Sequence, residues 1–215
     1  CLVGSEMCIR DRDKKDGEIL LLSEYGLDAQ PFDTSGKSRV DWKDSTIRKW
    51  LNDDFYNSAF SEKEKENIVE SKSEGFEEYN TSMNLTGGGK PYAYLEREIE
   101  DKVFLLSNTE LCAYFSEDPY PGCYSDPYAH KELLCYPTAY AKQQLETRYQ
   151  TETCGWWLCN HVYEDDSVEL VSAYGQGSGT SRENIKANTK SIAVRPAMWV
   201  TWQSDMEMVE ANQQV

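Results

Sequence analysis

Apolar residues along this chain fall into short blocks of two different periods, separated by long polar stretches. Residues 17–23 (GEILLLS) form a continuous apolar run after a charged turn, which predicts a buried strand. Beyond a turn-rich loop at 28–36, TIRKWLNDDFYNSAF places Ile47, Trp50, Leu51, Phe55 and Ala59 at helical spacing on one face. Asp44 or Ser45 is the natural N-cap of that helix. Ser61 to Glu64 reads as a capping box that starts a short charged helix running to about Ser71, with Ile68 and Val69 as its contact points. Residues 74–100 show no clean period. VFLLS at 103–107 predicts a second buried strand, and Asn108 or Thr109 caps a helix through Phe115. A loop rich in Pro, Tyr, Gly and Asp fills 116–128, and a further helix starts at Pro137, where proline is tolerated.

The last block, 154–202, opens on CGWWLC and closes on SIAVRPAMWVTW. Tryptophans bury large areas, so Trp156 or Trp157 is expected to share a core with Trp199 and with Trp50 of the first helix. Between these ends, residues 160–190 are polar and finish in GQGSGTSRENIKANTK, the composition of surface loops and a mobile hairpin. Helices in the first two thirds and short strands at both ends make an α+β pattern, not a repeating βαβ one.

Residues 1–12 (CLVGSEMCIRDR) read as the translation of a transposase sequencing adapter, and such scars stand outside the fold. They are expected to make no persistent contact with the domain, and the natural start of the chain is expected to lie upstream. Residues 13–203 then form one domain, with 204–215 as a polar tail. The net charge of -16, from 38 acidic against 22 basic side chains, argues against nucleic acid and against anionic membrane surfaces as partners. No apolar run approaches the roughly 20 residues of a spanning helix, so no membrane insertion is expected. Without Cys1 and Cys8, five of the seven cysteines remain, widely spaced and odd in number, which is no disulfide framework.

Several groupings invite a chemical reading. Cys154, Cys159 and His161 make C-x4-C-x-H, and Cys123, His130 and Cys135 make a looser set. Neither has the C-x2-C pairing of structural zinc sites, so no metal and no cofactor is assigned. Cys154 and Cys159 also lack the C-x-x-C spacing of redox dithiols. TGGGKP at 86–91 is not a phosphate loop, because its spacing is wrong and a proline follows the lysine. His161 has no serine nucleophile elbow beside it. Glu164, Asp165 and Asp166, near Asn160 and Asp126, are oxygen donors of the kind calcium takes, but a solvated acidic loop accounts for them. Arg195 precedes Pro196, which holds its backbone extended, and its guanidinium suits a structural clamp on a carboxylate or on carbonyls. Seven of the 14 tyrosines lie between Tyr114 and Tyr149 (114, 120, 124, 128, 136, 140 and 149). Tyrosine in loops with Ser, Gly and Asn offers contact area at little entropic cost.

The blocks WKDSTIRKWLNDDFYNSAFSEKEKENI, DKVFLLS, YPTAYA, WWL and VRPAMWV, in this order, resemble the bacterial DUF6273 family found in Firmicutes. The resemblance spans about residues 17–202. That family is in turn similar to the C-type-lectin-like fold of formylglycine-generating-enzyme-like domains and of diversified binding proteins, which implies a C-type-lectin-like α+β domain. Two positions depart from the family pattern. WWLRSPG is replaced by Trp156, Trp157, Leu158, Cys159, Asn160, His161 and Val162, and the glycine before VRP is Ala193. The family's opening strand is also expected to be truncated.

The expected function is a non-catalytic binding module for a protein or glycan ligand. Its frame is Trp50, Trp156, Trp157, Arg195 and Trp199, and its working surface is the loops 116–128 and 160–190, since binding concentrates on loops held by rigid scaffolds. Asn160, Tyr163, Tyr174 and Arg182 are the expected contacts. The alternatives are an enzyme related to formylglycine-generating-type domains, or a structural domain of a larger extracellular or cell-surface protein.

Overall fold

The computed structural model describes residues 9–15, 17–37, 40–71, 93–94, 100–115, 131–146, 152–162, 167–176 and 185–201. Among them, β2 (Glu18–Ser23) is the central strand, with its residues buried from Ile19 onward. Its apolar residues run continuously because both of its faces and both of its edges are covered. On one edge it pairs antiparallel with β9 (Ala197–Thr201), matching Leu20 to Trp199 and Leu22 to Ala197. On the other it pairs antiparallel with β1 (Ile9–Lys15). Residues 9–12, expected to make no contact, therefore take part in the sheet: Ile9 lies opposite Ser23 and Asp11 opposite Leu21. Backbone N–H and C=O groups form this ladder, and an open strand edge accepts any extended chain whatever its side chains.

The first helix starts at Ser45, whose hydroxyl accepts from the Arg48 N–H. It comprises α1 (Thr46–Trp50), a π turn over Leu51–Phe55 and α2 (Tyr56–Ala59). The π turn adds one residue to the repeat and rotates α2 relative to α1. Ile47, Leu51 and Tyr56 are consequently the buried positions, whereas Phe55 and Ala59, expected on the inner face, are only partly covered. Trp50 is half-buried and packs at a tilt of 43° against Phe55, with ring centroids 5.3 Å apart.

Ser61 and Glu64 form the reciprocal capping box of α3 (Glu62–Lys65). This helix stops well short of Ser71. Ile68–Val69 is instead strand β4, which pairs antiparallel with β9 at Val200 and Trp199. Two adjacent β-branched residues gain more by completing a sheet edge than by extending a charged helix. Ser61→Ala should cost about 1 kcal/mol, the usual value of an N-cap. Urea unfolding should show a lower midpoint at unchanged slope; an unmoved midpoint would mean that the box carries no stability.

Residues 103–106 are buried but contribute one bridge rather than a strand. Phe104 exchanges two hydrogen bonds with Ala197 (2.9 and 2.8 Å), and the Leu106 carbonyl accepts from the Cys159 N–H at 3.0 Å. The run is thus a seam between two sheets, and covered on every side it is apolar throughout. The helix cap falls one residue earlier than expected: Ser107 and Glu110 cap each other's backbone N–H groups at the start of α4 (Asn108–Phe115).

A second antiparallel sheet is built from β5 (Ala93–Tyr94), β7 (Trp156–Val162) and β8 (Val168–Val171), in the order β5-β7-β8. β8 is wholly buried, so part of the stretch expected to be surface loop belongs to the core. A two-stranded parallel pair joins β3 (Tyr25–Gly26) to β6 (Tyr136–Pro137). Pro137 lies in this strand, and Thr138 rather than proline opens α5 (Ala139–Gln144), its hydroxyl accepting from Ala141 N–H. The architecture is α+β: short helices around small, mainly antiparallel sheets. No helix among the described residues is long and apolar enough to cross a membrane.

Candidate functional site

β3, β7 and the segment before β9 meet at residues 192–195. Val194 bridges Asp28, and Ala193 bridges Trp156. The close approach here excludes a side chain at Gly26, where a Cβ would stand 2.7 Å from the Ala193 Cβ. Glycine is thus imposed by space.

Arg195 lies on this seam and is 2 % exposed. Its Nε donates to the Ser23 carbonyl at 2.8 Å, and its guanidinium carbon stands 4.8 Å from the centroid of the Trp156 ring. A guanidinium over an indole face is a favourable arrangement, more so when desolvated. Trp156 Nε1 donates to the Leu133 carbonyl at 3.1 Å, so the ring is fixed at its edge and over its face. Arg195 therefore binds the end of β2 to the core.

Beside this clamp, Cys135 and Cys154 face each other across an antiparallel bridge, with Cys154 N–H donating to the Cys135 carbonyl at 2.8 Å. They are 0 % and 1 % exposed. A hydrogen bond from the Cys154 thiol lowers the pKa of Cys135 despite its burial, and the Arg195 charge and a Gly26 backbone contact act in the same sense. The Cys154 thiol is pushed up strongly, because its proton is held by Cys135, because it is buried and because Cys135 repels a second negative charge. The two thiols therefore titrate as a pair, one proton shared between them being held much more tightly than the other. Sealed from solvent in this way, the dithiol is no exposed nucleophile.

The outer surface near this bridge carries tyrosines. Tyr136 follows Cys135 directly. Thr153, which precedes Cys154, donates its hydroxyl proton to the Ala173 carbonyl at 2.6 Å, immediately before Tyr174. The Ser172 hydroxyl accepts from the Tyr174 and Gln176 N–H groups, and Gly175 supplies the positive φ that the turn requires. Tyr136, Tyr140 and Tyr174 are 47 %, 55 % and 61 % exposed.

A family model described as "Domain of unknown function (DUF6273)" matches residues 16–202. The chain belongs to the DUF6273 family. No curated protein and no solved structure matches it. Within this DUF6273 domain the two described contacts, Asn160 and Tyr174, do not share an exposed loop. Asn160 lies inside β7 and is 2 % exposed, which corrects its placement on the loop surface. The strand continues through Val162, and β7 is flanked by β5 and β8. Tyr174 is on the surface, whereas Tyr163 and Arg182 lie outside the described residues. Of the frame residues, Trp156, Trp157 and Arg195 are fully buried, while Trp50 and Trp199 are half-buried and pack on the core.

The cysteines of the DUF6273 chain also regroup. Cys154, which sequence spacing grouped with Cys159 and His161, faces Cys135, while Cys159 lies within β7. Cys123, His130 and the acidic run 164–166 fall outside the described residues. Among those described, no three His, Cys, Asp or Glu side chains gather in a metal-binding arrangement. Spacing could not reveal the Cys135–Cys154 pair, because the contact joins segments separated by a whole helix. Tyr136 and Tyr140 belong to the tyrosine-rich stretch of the sequence, but nothing local marked these two as exposed.

Proposed function

We propose that this domain is a non-catalytic binding module with a C-type-lectin-like frame, presenting tyrosines to a protein or glycan surface. The observation that carries this reading is which large apolar side chains are exposed. Among the described residues they are all tyrosines, Tyr136, Tyr140 and Tyr174, whereas Trp156 and Trp157 are sealed in the core. Tyrosine suits recognition because a rigid ring supplies contact area and its hydroxyl supplies a hydrogen bond. The Ser172-anchored turn adds rigidity, which lowers the entropic cost of binding. The net charge of -16 favours a neutral or basic partner surface over a polyanion.

The test is a glycan array together with a pull-down of surface proteins, followed by titration of any ligand found. Replacing Tyr136, Tyr140 and Tyr174 together by alanine should weaken binding at least about tenfold, as the loss of aromatic anchors does. Each change should cost only about 0.5 kcal/mol of stability, the usual range for surface positions. A triple variant that binds like the wild type would move the working surface elsewhere. The second reading, an enzyme related to formylglycine-generating-type domains, rests on the facing thiols Cys135 and Cys154 and requires that this sealed pair open to solvent. It predicts a turnover that Cys154→Ser removes.

A further inference from the structure

We infer that Cys135 and Cys154 are a disulfide pair, closed when this chain folds in an oxidising environment and covalently joining the segments that lead into β6 and β7. They stand directly opposite each other in an antiparallel bridge, with a hydrogen bond between their own backbone groups. In such pairs the Cα atoms are about 5.5 Å apart, inside the range of about 4.4–6.8 Å that a disulfide spans. The Cys154 side chain turns toward Cys135, its thiol donating to the Cys135 carbonyl at 3.5 Å. Both sulfurs lie against Gly26, at 3.3 and 3.5 Å from the point where a Cβ would be. Closing the bond thus requires no large backbone movement, and the bare glycine leaves room for the sulfurs. Burial of both residues would then shield the link from reductants.

The chemistry is thiol–disulfide exchange with a small disulfide, before the pair is buried. One cysteine thiolate attacks the small disulfide and releases one small thiolate, leaving a mixed disulfide. The second cysteine loses its proton and attacks the protein sulfur of that mixed bond, releasing the other small thiolate. The two protein thiols lose two electrons and two protons, and the small disulfide is reduced to two thiols. The link closes the loop that carries α5, and most of its effect falls on the unfolded chain, whose freedom it restricts.

The full chain carrying Cys159→Ala is refolded once in a mixture of reduced and oxidised glutathione and once in dithiothreitol. Free thiols are then alkylated and the protein is cut with trypsin. The sequence places Cys135 in peptide 132–142 and Cys154 in peptide 149–182, so a link joins two peptides of known mass. The expected result is that cross-linked product, with a thermal midpoint roughly 5–10 °C above that of the reduced protein, as a loop of this length implies. Free thiols at both positions, glutathione adducts in place of the link, or a link to Cys112 or Cys123 would overturn the inference. So would a linked protein that melts no higher than the reduced one. If Cys159→Ala does not fold, fragmentation of the cross-linked wild-type peptides locates the bond, and a link at Cys159 counts against the pair.

Discussion

Trp157→Ala should destabilise the domain by about 3–5 kcal/mol, the range for deleting a large buried aromatic. Trp157 is fully buried in β7 and meets Phe32 edge to face, with ring centroids 6.0 Å apart. Phe32 in turn packs against Trp42 at 6.2 Å. The indole therefore holds the loop before the first helix onto the second sheet. Its Nε1 also donates to the Gln30 carbonyl at 3.0 Å, so alanine loses a hydrogen bond as well as packing. Neighbouring strands cannot collapse into the space, because their ladders fix the spacing on either side. Against a typical total of about 5–15 kcal/mol, such a loss would leave a marginal protein. Urea unfolding of the wild type and the variant measures it. A change below about 1 kcal/mol, well outside the core range, would show that this ring does not anchor the core.

Asp101→Ala should be the next most damaging single change, at about 2–4 kcal/mol, somewhat under the full cost of breaking a buried ion pair. Asp101 is buried where three elements meet. Its carboxylate accepts from Trp42 Nε1 at 2.8 Å, Arg48 Nε at 2.7 Å and Asn52 Nδ2 at 3.3 Å. Its backbone exchanges hydrogen bonds with Ser71. Removing one partner of a buried ion pair costs about 3–5 kcal/mol, and the partial exposure of Arg48 reduces that figure because water can replace the carboxylate there. The buried Trp42 N–H has no such relief. Asp101→Asn, which keeps one acceptor oxygen and the shape, should cost roughly half as much if the acceptor matters more than the charge. Equal losses for the two variants would show that the charge dominates. An alanine variant within about 1 kcal/mol of wild type, less than one unsatisfied buried group costs, would remove Asp101 from the stabilising network.

Asn52 helps to explain why the helix and the seam were legible to different degrees. Its amide donates to the Arg48 and Val103 carbonyls, and its Oδ1 accepts from the Lys102 and Val103 N–H groups. These bonds satisfy the seam from the side, so 102–103 needs no second strand there and an apolar run can be buried without becoming a regular ladder. Apolar runs report burial; they do not say whether a neighbouring strand or a side-chain amide takes the backbone hydrogen bonds.

What the sequence alone determined here is local. Ser45 and Ser61 cap helices through bonds to backbone three residues ahead, and the run Ile19 to Leu22 is buried because it is apolar on both faces. Such features depend on residues close in the chain, so their chemistry can be read in order. The tertiary structure decided everything that depends on a distant partner. Ile68–Val69 became a strand because β9 offered an edge, and polar Asn160 was buried because β7 runs through the second sheet. Cys154 met Cys135, nineteen residues earlier in the chain, because an antiparallel bridge sets the two residues opposite each other. Which side chains meet across such contacts depends on strand register, a property of the whole fold and not of any one stretch of sequence.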